Sequence, residues 1–257
     1  MSDTTRKALI TGAASGIGLG LAAHLYAQGY RVYMADLDSD AAGQAAQQLA
    51  LQPGAGELIP CVLDVCDPAQ ASQLARELGA LDVLVNNAGI QHVAPLEAFP
   101  ANTWARIINV LLVGPAMVTQ AFLPAMKAKN FGRIVNIGSI HSLVASPYKS
   151  AYVAAKQGLL GFSKALALET AQQNITINTL CPAYVKTPLV EKQIASQAQA
   201  HNMSEAEVID TIMLKPMPKK SFISQAELNA ALDFCISPQG RNFTGQTLVL
   251  DGGWTAQ

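Results

Sequence analysis

Tyr152 and Lys156 lie four residues apart in a run with helical apolar spacing, so their side chains share one face and are within mutual reach. An ammonium beside a phenol favours the phenolate and lowers its pKa from about 10, giving a base that can take a proton from an alcohol. A tyrosine–lysine pair on a helix is by itself usually structural. Ser139 changes that weighting, because it ends an apolar run of strand character 13 residues ahead of Tyr152. Open α/β sheets place ligand-contacting groups at the carboxyl ends of their strands. Ser139, Tyr152 and Lys156 therefore form a candidate catalytic set.

A second constellation lies near the amino terminus. Thr11-Gly12-Ala13-Ala14-Ser15-Gly16-Ile17-Gly18 follows a short apolar run and opens a helical pattern. Glycines let the backbone turn tightly against a pyrophosphate, and a helix amino end offers free N–H groups and partial positive charge. Taken alone the motif is weak; between a strand and a helix it is much stronger. Asp36 ends the next strand candidate, 18 residues beyond Gly18. A carboxylate there can accept from both adenosine ribose hydroxyls and would repel a 2′-phosphate, while Leu37 offers no compensating charge. NAD is expected over NADP. Asp36 could instead cap a helix, although Asp38 and Ser39 suit that role better.

Positioning these groups requires alternating strands and helices. The strand candidates are Lys7–Thr11, Arg31–Ala35, Leu58–Leu63, Val83–Asn86, Arg133–Gly138, Thr176–Leu180 and Thr247–Leu250. Most are near-continuous apolar runs, as in a parallel sheet covered on both faces. The helical stretches are Gly18–Gln28, Ser39–Leu51, Pro68–Leu78, Asn102–Lys129, Ser150–Gln172 and Gln225–Ile236. This order predicts an α/β fold: a single doubly wound Rossmann-type domain over residues 1–257 with a parallel sheet. Residues 188–220 break the rhythm with helical pattern and no strand. An insertion after a strand's carboxyl end sits over the ligand crevice, so a helical substrate lid is expected, with a plain surface excursion as the alternative.

The spacing of Gly12, Gly16 and Gly18, with Asn86-Asn87-Ala88-Gly89 and Tyr152-x-x-x-Lys156, resembles the short-chain dehydrogenase/reductase family over essentially the whole chain. The resemblance implies that Ser139 positions a substrate oxygen beside Tyr152 and Lys156. It implies that Asn87, Ala88 and Gly89 pass the adenine side of the cofactor and that Asp64, with Val65, meets the adenine amino group. By residue type alone, Asp64 could equally be a loop or cap residue. Ser15, Ile17, Pro182 and Val185 complete the implied cofactor contacts, and a homotetramer is the implied assembly. Two departures stand out. Leu111 occupies the place where the family usually carries an asparagine, and Asn109 is about 200° away around an α-helix. Cys181-Pro182-Ala183-Tyr184 replaces a frequent Pro-Gly.

Gln91, His141, Lys149 and Gln193 fall around the expected pocket, His141 on the same side as Ser139 if the chain there stays extended. A lysine flanked by histidine and amide donors suits a small carboxylate. Each has a duller reading: a solvated helix-start cation for Lys149, a turn residue for His141, an exposed residue for Gln193. Together they resemble family members that oxidise 3-hydroxybutyrate, which implies that Gln91, His141, Lys149 and Gln193 hold the carboxylate. Tyr184 and Trp254 would enclose the methyl end. The implied reaction is NAD-dependent, reversible oxidation of (R)-3-hydroxybutyrate to acetoacetate. Other family substrates, a 3-oxoacyl thioester or a polyol, and a non-catalytic NAD-binding scaffold are the alternatives.

Composition bounds the rest. The 257 residues are 50% hydrophobic and 14% charged, enough apolar material for a sizeable core. With 17 basic and 18 acidic residues and no local basic cluster, no nucleic-acid footprint is expected. The polar start lacks a signal-peptide pattern, and no apolar run is read as membrane-spanning. Cys61, Cys66, Cys181 and Cys235 lack metal-type spacing and are read as reduced, buried thiols. No metal and no membrane are expected, and the location is read as cytoplasmic.

Overall fold

The computed structural model describes residues 5–256. The chain alternates strands and helices: β1 (Lys7–Thr11), α1 (Gly16–Ala27), β2 (Arg31–Asp36), α2 (Ser39–Ala50), β3 (Glu57–Val62), α3 (Pro68–Leu78) and β4 (Val83–Asn86). There follow α4 (Ala101–Ile108), α5 (Gly114–Lys129), β5 (Gly132–Ile137), α6 (Ser150–Glu169) and β6 (Ile175–Pro182). α7 (Pro188–His201), the single turn α8 (Glu205–Val208), α9 (Gln225–Ile236) and β7 (Thr247–Leu250) complete the order. The strands form one sheet in the order β3-β2-β1-β4-β5-β6-β7, and every paired neighbour is parallel. This is the expected Rossmann-like architecture.

Both faces are covered, which is why central strands read as unbroken apolar runs. On one face α1, α2 and α9 pack Leu21, Leu25, Leu49 and Leu228 against Ile10, Val32 and Val85. On the other, α3, α5 and α6 pack Leu74, Phe122 and Leu166 against Leu9, Leu84 and Ile134. The edge strand β3 carries Pro60, which an edge tolerates because one side of its backbone is unpaired. The sheet reverses direction of growth between β1 and β4, so a crevice opens at their carboxyl ends.

The structure departs from expectation in four places. The helix read as continuous over Asn102–Lys129 contains a π-turn over Asn109–Val113, between α4 and α5. That stretch, Ala101–Lys129, is nevertheless long and apolar enough to cross a membrane by length and composition, contrary to the sequence reading. Of its apolar side chains, Ile107, Leu111, Val118 and Phe122 are buried against the rest of the protein, while Val113 is exposed. Cys66 is exposed and Cys61 half-buried, so only Cys181 and Cys235 are buried thiols. Finally, the chain after Ser139 does not stay extended but turns at once into a 3₁₀ turn, Ile140–Ser142.

Candidate active site

A cleft of about 420 Å³ opens at the carboxyl ends of the strands, a size that suits a small-molecule site. At one end lies the turn after β1. Gly12 and Gly16 have φ of +65° and +56°, which L side chains rarely adopt. A Cβ on Gly12 would lie 2.8 Å from Ala88 Cα, and one on Gly18 would lie 2.2 Å from the Gly12 carbonyl oxygen. Gly18 is thus buried behind the turn and does not line the cleft, whereas Gly12, Ser15, Gly16 and Ile17 do. Ser15 precedes α1 without a side-chain capping bond, which leaves its exposed hydroxyl for a ligand.

Asn87 braces this turn. Its side-chain amide donates to the carbonyl oxygens of Thr11 and Gly12 at 2.9 and 3.0 Å. The Thr11 hydroxyl in turn accepts from the Asn87 and Ala88 N–H groups. All three residues of the 87–89 segment line the cleft, and the Asn87 amide braces the turn at the same time. Asp36, at the end of β2, accepts from the Ala14 N–H at 3.0 Å and stands at the cleft wall beside Leu37. The α2 cap is Asp38, which accepts from the Asp40 and Ala41 N–H groups. Asp64 lines the cleft with Val65 and also accepts from the Cys66 N–H, so it is both a wall and a turn residue.

At the other end β5 delivers Ser139 and α6 delivers Tyr152 and Lys156, all three lining the cleft. The Ser139 hydroxyl is within hydrogen-bonding reach of the Tyr152 phenol. The Lys156 ammonium donates to the Ile137 carbonyl oxygen at 2.6 Å and stands 5.7 Å from the Tyr152 ring centroid. Burial pulls Lys156 down to about 8. The Tyr152 phenol is raised, because burial outweighs the Ser139 hydrogen bond; Cys181 and Tyr184 add to the rise. In the protein by itself burial outweighs the nearby positive charge of Lys156. Leu111, in the π-turn, is buried against Ile107, Ala151 and Ala155, and Asn109 is exposed, so neither offers a polar group behind the lysine.

Between the two ends lies a polar pocket. Lys149 precedes α6 and follows Tyr148, which adopts a left-handed φ of 66°. Lys149 is 7% exposed. Its Nζ lies 5.7 Å from the Tyr184 ring centroid, and no acidic side chain pairs with it among the described residues. Burial lowers its pKa. His141 is pushed down to about 4, first by burial and then by Lys149. Its Nδ1 and the Oε1 of Gln91 are buried without a hydrogen-bond partner. Gln91, His141, Lys149, Tyr184 and Gln193 all line the cleft, the last from α7. Pro182 and Val185, from the end of β6 and just beyond it, close the wall. Trp254 does not line the cleft. It stands behind, stacked on Tyr184 at 6.1 Å and edge-on to His141 at 6.0 Å.

Residue patterns alone left out the apolar walls from Ile90, Val110 and Ile140, and the Thr187–Val190 segment at the start of α7. The signal for the latter was present: Thr187 caps α7 by accepting from the Val190 N–H, and Pro188 opens the helix.

The chain belongs to the short-chain dehydrogenase family, whose profile matches residues 6–198. It is an oxidoreductase of that family, whose members bind nicotinamide cofactors. Among relatives, the D-beta-hydroxybutyrate dehydrogenase of Rhizobium meliloti (strain 1021) is 40% identical over 257 residues, covering 98% of this chain and 100% of the relative. That of Cupriavidus necator is 42% identical, with 98% of each covered, and an uncharacterized oxidoreductase of Bacillus subtilis (strain 168) is 41% identical. A crystal structure of levodione reductase superposes with a TM-score of 0.89 at 27% identity, covering 98% of each chain.

Proposed function

We propose that the chain is one functional unit, an NAD-dependent dehydrogenase oxidising (R)-3-hydroxybutyrate to acetoacetate and catalysing the reverse. The observation that carries the reading is Lys149: a buried ammonium with no acidic partner among the described residues, beside the unpartnered polar atoms of His141 and Gln91. A buried charge without a counter-ion is costly, and a ligand carboxylate resting there would relieve it. A neutral polyol would leave the ammonium unpaired, and a thioester places no carboxylate there. Gln193 on α7 supplies a further amide, and the 188–220 excursion serves as the lid. The names of the R. meliloti and C. necator relatives point the same way.

The amino end of α1 and the Gly12–Ile17 turn would hold a pyrophosphate, Asp36 the ribose, and Asp64 with Val65 the adenine. The cradle fits such a group: Gly12 and Gly16 hold the positive φ that shapes the turn, and a Cβ on Gly12 would strike Ala88. When bound, the nicotinamide supplies the acceptor for the hydride leaving the carbinol carbon. Tyr152 takes the hydroxyl proton of the alcohol, and Ser139 donates to the same oxygen. Lys156 keeps positive charge beside the phenol, offsetting the burial that raises it. In the reverse direction Tyr152 returns the proton to the keto oxygen. Asp36 favours NAD by repelling a 2′-phosphate.

Side-by-side assays of both 3-hydroxybutyrate enantiomers, with NAD and NADP and beside a sugar alcohol, test the reading. Turnover of the (R)-acid with NAD is expected to dominate. Equal turnover of the polyol, or no turnover of the acid, would overturn it.

A further inference from the structure

Ser142 has no part in the catalytic set, yet it is buried directly beneath it. The turn from Ser139 to Ser142 is closed reciprocally. The Ser139 hydroxyl oxygen accepts from the His141 N–H at 3.2 Å, and the Ser142 hydroxyl oxygen accepts from the Ser139 N–H at 3.3 Å. The Ser142 N–H donates to the Ser139 carbonyl at 2.8 Å. The Ser142 hydroxyl and the Cys181 sulfur pack together beneath Gly138.

Cys181 is fully buried near the end of β6. The closeness of this packing is recorded at Gly138, the residue before Ser139. A Cβ there would lie 2.7 Å from both Cys181 Sγ and Thr179 Cγ2, and 3.0 Å from Ser142 Oγ. Gly138 is held by its N–H to the Leu180 carbonyl at 2.8 Å. Three side chains and a β6 carbonyl thus converge under the backbone that delivers Ser139.

The direction of these bonds matters. Ser142 accepts from the Ser139 N–H, and one lone pair of the Ser139 oxygen is taken by the His141 N–H. The Ser139 hydroxyl hydrogen remains free for the oxygen of Tyr152 or of a substrate. We infer that Ser142, seated on Cys181, is a positioning residue that holds Ser139 as a hydrogen-bond donor toward Tyr152 and the reacting oxygen. This rests on the roles given above to Ser139 and Tyr152.

The test compares Ser142→Ala, Ser142→Cys and Ser142→Thr in the full chain saturated with NAD. The phenol of Tyr152 is titrated by ultraviolet absorbance, as the difference between each protein and the same protein carrying Tyr152→Phe. Loss of a donor that favours the phenolate should raise the midpoint in Ser142→Ala by about half a pH unit or more, the scale of one net hydrogen bond. Ser142→Cys, whose thiol is a weaker acceptor, should raise it by less, and Ser142→Thr, which keeps the hydroxyl, should restore it. The acid limb of kcat/KM for (R)-3-hydroxybutyrate should move by the same amount. An unmoved midpoint in Ser142→Ala overturns the inference; Ser142→Cys decides it should Ser142→Ala fail to fold. A shifted midpoint in a protein that does not oxidise the hydroxy acid would sink the substrate assignment alone.

Discussion

The Lys156 ammonium donates to the Ile137 carbonyl oxygen at 2.6 Å, tying α6 to the carboxyl end of β5 within reach of the Tyr152 ring. Few groups are harder to bury than an ammonium. Its folded pKa of about 8, against 10.5 ordinarily, means that the folded chain binds this proton less tightly than the unfolded chain. The penalty is full below pH 8 and fades as pH rises from about 8 to 10.5, so stability from this group rises across that window. Lys156→Met removes a cost on the order of 3 kcal/mol at pH 7, and loses a charged hydrogen bond of about 1.5–3 kcal/mol. Urea midpoints at pH 7 should therefore differ little while turnover falls by about 100-fold or more. Between pH 8 and 10 the native midpoint should climb relative to that of the variant. Parallel curves would show that the lysine is not strained by burial.

Lys149 invites a kinetic test. Replacing it with alanine should raise the KM for the hydroxy acid by about 10- to 100-fold, the worth of a charged hydrogen bond. The KM for NAD should change by less than about twofold, because the cofactor cradle is built from other elements. Folding should not suffer, since a buried ammonium without a counter-ion is removed. Equal increases in both KM values would take Lys149 out of the substrate pocket.

Much of this was legible in the residues, and the exceptions have physical causes. The bounds of β1, β4, β7, α3 and α9 coincide with the sequence reading because each is flanked by turn or capping residues, such as Asp67 and Ser224. The π-turn at Asn109–Val113 was not legible. It is a change of hydrogen-bond register inside an apolar helix, and apolar spacing does not report register. That the Asn87 amide also braces the Gly12 turn was not legible, because the contact lies 75 residues distant in sequence. Trp254 was placed at the substrate; it packs one layer behind, since a chain-terminal aromatic carries no local signal of depth. The burial that raises the Tyr152 phenol in the protein by itself was not legible for a related reason: burial is a property of the whole fold, while the lysine four residues away is visible locally.

Cofactor choice can be separated from turn stability at Asp36. Its carboxylate accepts from the Ala14 N–H, so Asp36→Ala would disturb the phosphate cradle as well as the charge. Asp36→Asn keeps an acceptor and removes the charge. The ratio of kcat/KM for NAD over NADP should fall by about 10-fold or more, consistent with loss of a like-charge repulsion of roughly 1.4 kcal/mol. Preference measured with both cofactors at fixed ionic strength checks this. A native enzyme that uses NADP as well as NAD would remove the role of Asp36.

His141 sets an acid limit on the fold. Burial and the nearby Lys149 hold its pKa at about 4, below the usual 6.5. The folded chain therefore resists a proton that the unfolded chain accepts, so stability is intact above pH 6.5 and declines as pH falls toward 4. The loss over that window is on the order of 3 kcal/mol. His141→Gln, which keeps a polar group without a titrating one, should flatten this part of the stability curve. Lys149→Ala should shrink it as well, because one of the two causes of the shift is gone. Urea midpoints of the three proteins at pH 7 and pH 5 separate these outcomes: the native chain should lose most between the two, Lys149→Ala less, and His141→Gln least. A native midpoint as high at pH 5 as at pH 7 would mean that His141 takes up its proton without cost, and that the pocket is wetter than its packing implies.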